Sequence, residues 1–340
     1  MKIARLITTV DSHTAGENVR VIIGGIPHIP GDTIVEKMEY CKKELKLLRT
    51  ALMWEPRGYS AMFGCVLTAP TMKDADLGIL FMGAPGYLDI CGHALIGATT
   101  VVIETGIIKA TEPVTIVKWD TSAGLVTTMA SVECGRVQSV AFRGVPSFLY
   151  NSKVPIEVHG LGEILIDISF GGVFTAIVSA KKLGIKVIPE YSNQILDIGE
   201  RILNAVNKQV EIRHPDKSHI KTVGQVMITD DPVNRSANYR NAVVCCYDSS
   251  RSKKAIDRSP CGTGTCARMA QLFSNGELKL NQEFIHESII GTLFRGKLVE
   301  EVPIEDYRAV VPEVNGSAYV TGIHQFVLDP DDPLKYGFLL

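Results

Sequence analysis

The sequence has no Cys-x-x-Cys pair, no run of five basic residues and no uninterrupted apolar stretch near the ~20 residues that span a bilayer. Its cysteines, Cys41, Cys65, Cys91, Cys134, Cys245, Cys246, Cys261 and Cys266, show neither zinc-ligand spacing nor a disulfide framework. Most stand among apolar neighbours. Cys41, Cys65, Cys134, Cys245 and Cys246 are therefore expected to be small buried hydrophobes, and Cys266, more than a helical turn past Cys261, to pack likewise. His28, His159, His214, His219, His286 and His324 also lack ligand spacing, and no metal is expected. A net charge of −2 with 21% charged residues argues against nucleic acid or an anionic membrane as partner. The opening Met1-Lys2-Ile3-Ala4-Arg5-Leu6-Ile7 has no long apolar core and no small-residue cleavage site, so a soluble cytoplasmic protein is expected. At 340 residues the chain can build two domains with substantial cores.

What the sequence does contain is a matched pair of segments. Asp257-Arg258-Ser259-Pro260-Cys261-Gly262-Thr263-Gly264-Thr265 reads as a loop that delivers a cysteine to the first turn of a helix, and Asp89-Ile90-Cys91-Gly92-His93-Ala94 makes the same delivery. Each cysteine is followed at the same interval by a glycine stop, Gly106 and Gly276, and the two thiols stand half of the 340-residue chain apart. Two related halves follow, each presenting one thiol. Asp89 and Ser259 are the capping types at the two starts, with Pro260 in the second first turn. Each helix is expected to run ~24 Å. The first is apolar nearly all round and is expected to be buried on every side.

A cysteine at a helix N-terminus has a chemical consequence. Unpaired N–H groups and the positive dipole end favour thiolate over thiol, and the same N–H groups suit a carboxylate. Two such starts supply a base, an acid and a carboxylate clamp.

Elsewhere the pattern reads strand-rich. Strands are expected at residues 3–10 and 19–23, flanking a polar loop from Asp11 to Asn18, and then at 61–67, 77–82, 114–117, 125–132, 137–142, 147–149, 162–169, 174–179, 225–228 and 242–246. Four more follow in the tail, at 284–287, 293–298, 307–311 and 317–327. One amphipathic helix is expected at 33–48 and one at 191–207, in corresponding places of the two halves. Curved sheets wrapped around a central helix in each half are the expected α+β architecture.

Cys-Gly-His at 91–93, Asp-Arg-Ser-Pro-Cys-Gly-Thr-Gly-Thr at 257–265, Asp-Ser-His-Thr-Ala-Gly at 11–16, Glu-Pro-Arg-Gly at 55–58 and Phe-Gly-Gly at 170–172 resemble the proline racemase family over nearly the whole chain. That family includes 4-hydroxyproline 2-epimerases and trans-3-hydroxy-L-proline dehydratases. The resemblance implies a diaminopimelate-epimerase-like fold of two pseudo-symmetric domains, residues 1–122 plus about 322–340 and residues 123–321. It also implies catalysis without pyridoxal phosphate, other cofactor or metal, by a homodimer acting on proline or a hydroxyproline. Carried onto this chain, Cys91 and Cys261 match the catalytic pair. His93 and Asp257 match positions that contact the substrate amine, and the N–H groups of Gly92, His93, Gly262, Thr263 and Gly264 hold the carboxylate.

Within the family, dehydratases carry threonine or serine where this chain has Cys261, which favours racemisation; Ala94 after Cys-Gly-His runs the other way. Val173 and Thr175 also depart from the commoner residues after Gly-Gly. Phe63, Phe170 and Phe174 are candidates for an apolar proline pocket, and Ser60 or Thr175 for a ring hydroxyl. Met62-Phe63-Gly64 is closer to the racemase version, so proline is the expected substrate and 4-hydroxyproline the alternative.

Bland readings stand beside these. His93 serves equally as a helix cap, Asp257 as a loop support paired with Arg258, and His13 as a supporting residue. Glu55 and Arg57 read as a structural turn and ion pair. A thiol phosphatase using Cys261 and Arg268 leaves Cys91 unexplained, and a silent carboxylate-binding protein has no need of two thiols.

Overall fold

The computed structural model describes residues 4–84, 86–245 and 255–339, and Cys246 lies outside them. Contacts divide the chain into two units, one of Met1–Phe142 with Gly316–Leu340 and one of Arg143–Cys246 with Lys254–Asn315.

In the first unit β1 (Arg5–Thr14) and β2 (Glu17–Gly24) form a hairpin closed by Ala15 and Gly16, at φ 49° and 96°. The polar loop expected from Asp11 to Asn18 is thus strand except for its two-residue turn. Its polarity has a packing cause: Ser12 and Thr14 point inward at a helix whose Gly97 leaves room only for small side chains, since a Cβ there would stand 3.0 Å from the Ser12 hydroxyl. That helix is α3 (Gly92–Glu104), which follows α1 (Ile34–Glu44), α2 (Lys46–Met53), β3 (Phe63–Thr68), β4 (Leu77–Gly83) and β5 (Tyr87–Leu88). The unit is completed by β6 (Val114–Thr121), β7 (Gly124–Glu133), β8 (Arg136–Arg143) and the returning β18 (Ala318–Leu328). Every residue of α3 from Gly92 to Ile103 is buried, as its all-round apolarity demands. At 13 residues it is nearer ~20 Å than the ~24 Å expected.

The single helix expected over residues 33–48 is two, broken at Leu45. The buried spacing Ile34, Met38, Cys41, Leu45, Leu48 continues through the break, so periodicity alone hides it. A Thr33–Glu36 capping box starts α1.

The second unit holds β9 (Phe148–Val158), β10 (Gly162–Phe170), β11 (Phe174–Ser179), α4 (Ser192–Gln209), β12 (Val223–Asp230), β13 (Tyr239–Cys245) and β14 (Ala255–Asp257). It continues with α5 (Gly262–Ser274), β15 (Phe284–Glu287), β16 (Leu293–Ile304) and β17 (Tyr307–Gly316). Strand β9 runs well beyond the expected Leu149, because exposed Asn151–Lys153 and Pro155 mask its alternation.

The two units repeat one pairing scheme. In the first, β18–β1 and β1–β2 are antiparallel, β2–β3 is parallel across the amphipathic helices, β3–β4 and β4–β5 are antiparallel, and β4–β6 is parallel across α3. In the second, β9–β10 and β10–β11 are antiparallel, β11–β12 is parallel across α4, β12–β13 and β13–β14 are antiparallel, and β13–β15 is parallel across α5. Two antiparallel pairs close the second list, β15–β16 and β16–β17, and β6–β7 and β7–β8 close the first. The division at residues 122 and 322 therefore falls elsewhere: β7 and β8 extend the ladder begun by β4 and β6, and the return starts at Gly316.

Each unit has its own core, around Ile22, Met38, Leu52 and Leu80 in the first and around Phe148, Phe170, Phe174 and Ile202 in the second. Cys41, Cys65, Cys245 and Cys266 are buried as expected, but Cys134 is exposed at φ 50° in the β7–β8 turn. Among the described residues, no helix is long and apolar enough to cross a membrane.

Candidate active site

In the first unit Cys91 itself is the N-cap of α3, with extended backbone at φ −144°. Asp89, expected to cap, instead accepts a hydrogen bond from the Ser122 hydroxyl at 3.1 Å. The first-turn N–H groups belong to Gly92, His93 and Ala94, positions without acceptors inside the helix. The His93 ring lies with Nδ1 3.5 Å and Nε2 3.7 Å from Cys91 Sγ, and it stands perpendicular to the Phe63 ring at 4.8 Å between centroids. Thiol, imidazole and phenyl ring thus form one buried cluster.

The Asp-Ser-His-Thr-Ala-Gly segment supports that cluster from behind. Thr14 donates its hydroxyl to the His93 carbonyl at 2.8 Å, while His13 Nδ1 accepts from Gly16 N–H in the turn. Asp11 takes a two-pronged bond from Arg20 at 3.0 and 2.8 Å. Arg20 also donates to the carbonyls of Leu52 and Arg57 and so ties the Glu-Pro-Arg-Gly turn to the hairpin. The charge of Arg57 faces Asp332 at 3.6 Å rather than Glu55, whose carbonyl accepts from Phe338 N–H. These two motifs build the unit and stand behind the thiol.

In the second unit Cys261 is the N-cap of α5, at φ 65° and ψ 117°, a left-handed conformation that costs a side-chain-bearing residue about 1–3 kcal/mol. A relay holds it there. Asp257 Oδ1 accepts from the N–H and hydroxyl of Ser259 at 2.8 and 2.7 Å, and Ser259 Oγ accepts from Cys261 N–H at 3.1 Å. The preceding carbonyl, of Pro260, accepts from Asn241 and Thr265. Ser259, expected as cap, is thus the middle of the relay, and Asp257 supports the loop through Ser259.

Cys261 Sγ accepts from Gly264 N–H at 3.3 Å and lies 3.5 Å from the Thr263 hydroxyl. Gly264 N–H, one of the N–H groups expected to hold the carboxylate, is thus directed at the Cys261 sulfur. Gln225, not singled out by the sequence, points Oε1 at Sγ from 3.8 Å. Its orientation is fixed: Thr175 gives its hydroxyl hydrogen to the Val173 carbonyl and must accept from Gln225 Nε2, at 2.8 Å. The Thr175 hydroxyl is buried and its hydrogen is spent on Val173, so it has none to donate to a ring hydroxyl.

Phe-Gly-Gly is explained by close approach. A Cβ on Gly171 would stand 2.3 Å from Ala267 N and 2.4 Å from the Thr263 carbonyl, so only glycine lets α5 seat this closely. Phe170 and Phe174 pack into the core with Phe148 and His214, which removes them from any substrate pocket. Arg268 faces the Tyr239 ring at 4.2 Å and bonds Gln271, leaving the phosphatase reading without its arginine. Burial pushes the Cys65 and Cys266 thiols up, and Cys41 up to about 11, as befits packing residues.

Comparison with known proteins gives a consistent picture. The family described as proline racemase matches residues 9–339. The proline racemase of Clostridioides difficile is 47% identical over 340 residues, covering 100% of both chains, and that of Acetoanaerobium sticklandii is 45% identical over 99% of both. A 4-hydroxyproline 2-epimerase of Streptosporangium roseum is 44% identical over the full length of both. Among solved structures, a hydroxyproline epimerase from Agrobacterium vitis with bound trans-4-hydroxy-L-proline superposes with a TM-score of 0.90 at 33% identity, covering 100% of this chain and 96% of that one. A PhzF-family protein of Bacillus anthracis, at 12% identity and TM-score 0.62, shares the fold alone, the diaminopimelate-epimerase-like arrangement expected from the motifs.

Proposed function

Because the chain belongs to the proline racemase family, we propose that it is an isomerase that inverts the Cα centre of proline without a cofactor, using Cys91 and Cys261 as its acid–base pair. The observation that carries the reading is the duplication itself: each unit opens one buried helix on a cysteine N-cap, with first-turn N–H groups that lie outside the helix's own hydrogen-bond ladder.

Inversion requires a base on one face of Cα and an acid on the other. One sulfur, as thiolate, removes the Cα proton; the other, as thiol, gives its proton to the opposite face, and the roles exchange in reverse. The reaction needs one sulfur ionised while the other is protonated. Charge developing on the carboxylate is met by helix-start N–H groups of Gly92, His93, Gly262 and Thr263. His93 and Asp257 are assigned to the amine, and Phe63 to the apolar ring.

Proline is preferred over 4-hydroxyproline because Met62-Phe63-Gly64 is closer to the racemase version and because Thr175, one of the two candidates for a ring hydroxyl, is buried with its hydrogen given to Val173, which leaves Ser60 as the other. Chiral chromatography after incubation with L-proline, trans-4-hydroxy-L-proline and trans-3-hydroxy-L-proline tests the assignment. Faster conversion of L-proline to its D form is expected. Dominant epimerisation of the 4-hydroxy compound, or dehydration of the 3-hydroxy compound, overturns it. The reading extends to a cytoplasmic homodimer, for which light scattering of the purified protein is expected to give twice the chain mass.

A further inference from the structure

Gln225 lies on β12, where the sheet register sets it beside Thr175 of β11 and Cys245 of β13. It is fully buried, and a polar side chain in a strand core is costly unless its hydrogen-bonding atoms are met. Its two ends meet different groups. Nε2 donates to the Thr175 hydroxyl at 2.8 Å and to the Thr263 hydroxyl at 3.3 Å, while Oε1 stands 3.8 Å from Cys261 Sγ and 4.0 Å from Cys245 Sγ. Since the Thr175 hydrogen goes to the Val173 carbonyl, the amide cannot turn over, and Oε1 stays aimed at the two sulfurs.

The groups around Cys261 Sγ are of both kinds. Oε1 of Gln225 only accepts, so it suits the sulfur as a thiol; Gly264 N–H, at 3.3 Å, only donates and suits it as a thiolate. The Thr263 hydroxyl, 3.5 Å from Sγ, accepts from Gln225 Nε2 and keeps its own hydrogen for the sulfur. One buried amide therefore supplies the acceptor for S–H and anchors a donor to the ionised sulfur.

We propose that Gln225 is a positioning residue for Cys261 that supports the sulfur in both protonation states, through Oε1 when it carries hydrogen and through the Thr263 hydroxyl when it does not. The inference rests on the reading of Cys261 as half of the acid–base pair, a group that enters a turnover in one state and leaves it in the other. No proton passes to Gln225. When the thiol protonates carbon, the S–H bond breaks with its electron pair left on sulfur, and the Thr263 hydroxyl and Gly264 N–H meet the thiolate. A proton taken from carbon in the reverse direction re-forms S–H, which again faces Oε1.

The test is alkylation of the whole protein by iodoacetamide, which reacts with thiolate, with peptide mass spectrometry reading Cys261 against Cys91 in the same sample. Gln225→Met removes the acceptor for S–H, and Cys261 labelling at about pH 7 is expected to rise severalfold; Thr263→Val removes a donor to the thiolate, and labelling is expected to fall severalfold, with Thr263→Ser restoring it. The rise in Gln225→Met is expected to narrow as pH increases and thiolate predominates in both proteins, whereas wider access to the reagent would persist at every pH. The Cys245 and Cys266 thiols, and Asp257 behind Ser259, are the ionisable groups about Cys261 among the described residues, and they are the same in every variant. Label on buried Cys65 or Cys266 marks lost packing; in that event Gln225→Asn, which draws Oε1 back from the sulfur, stands in with the same expected rise. For proline turnover, kcat is expected to fall about tenfold in Gln225→Met and Thr263→Val with KM within about twofold. Labelling changes of the same sign in the two variants, or no change in either one, overturn the proposal. Labelling needs no turnover, so the positioning role and the racemase reading stand or fall separately.

Discussion

Ser259 carries more of the site than its size implies. Its hydroxyl joins Asp257 to the Cys261 N–H, and the Ser259→Ala change leaves that buried N–H unpaired beside a strained φ. A loss of about 1–3 kcal/mol is expected, read as a fall in the urea midpoint at unchanged slope, together with a lower kcat. An unchanged midpoint would remove the relay from the account. Thr14→Val is the counterpart in the first unit: loss of the bond to the His93 carbonyl is expected to cost about 1 kcal/mol and lower the thermal midpoint by about 2 °C. Both thiols, His93 and Phe63 were legible because short motifs name them. Thr14 was legible only as part of a motif and Gln225 not at all, since a buried glutamine on a strand carries no sequence signal until the fold sets it 3.8 Å from a sulfur.

Among elements, α3 and α5 were the most legible, because a long apolar run opening on cysteine and closing on glycine has few other readings. Their caps were misplaced. Asp and Ser are statistically good caps, but here the cysteine holds that position and the polar residue braces the loop one step earlier. The Asp11–Thr14 strand was missed for the converse reason, polar side chains pointing inward at a helix with no space for larger ones. The seat of α5 on Gly171 gives the sharpest element-level prediction. Gly171→Ala drives a methyl into the Ala267 and Thr263 backbone, which must move, and overpacking of this kind costs about 1–3 kcal/mol. Gly106→Ala, at φ 73° but in open space, is expected to cost only about 1 kcal/mol. Equal midpoints for the two variants in thermal unfolding would contradict the close-approach argument.

For the molecule as a whole, the repeated pairing scheme was legible as a repeat of motifs, but the unit boundaries were not: β7 and β8 are ordinary alternating strands, and nothing local says which ladder they extend. One buried group links the fold to pH. His286, with Nδ1 3.0 Å from the Thr265 hydroxyl and Nε2 unpaired, is held down to about 3 by burial and by the Arg268 charge. The unfolded chain takes up this proton near pH 6.5 and the folded protein does not, so stability is complete above that pH and falls as pH drops toward 3. The urea midpoint is expected to decline across this window, and His286→Asn to decline less steeply; parallel curves would exclude His286 as the cause.

The central claim, two thiols exchanging protons at one carbon, is tested most directly by proton NMR of L-proline in deuterium oxide. The account predicts loss of the Cα proton signal together with appearance of D-proline, both reduced about 10²–10⁴-fold in Cys91→Ser and in Cys261→Ser alike. If either single variant keeps wild-type interconversion, or wild type shows no Cα exchange, the two-thiol account is contradicted.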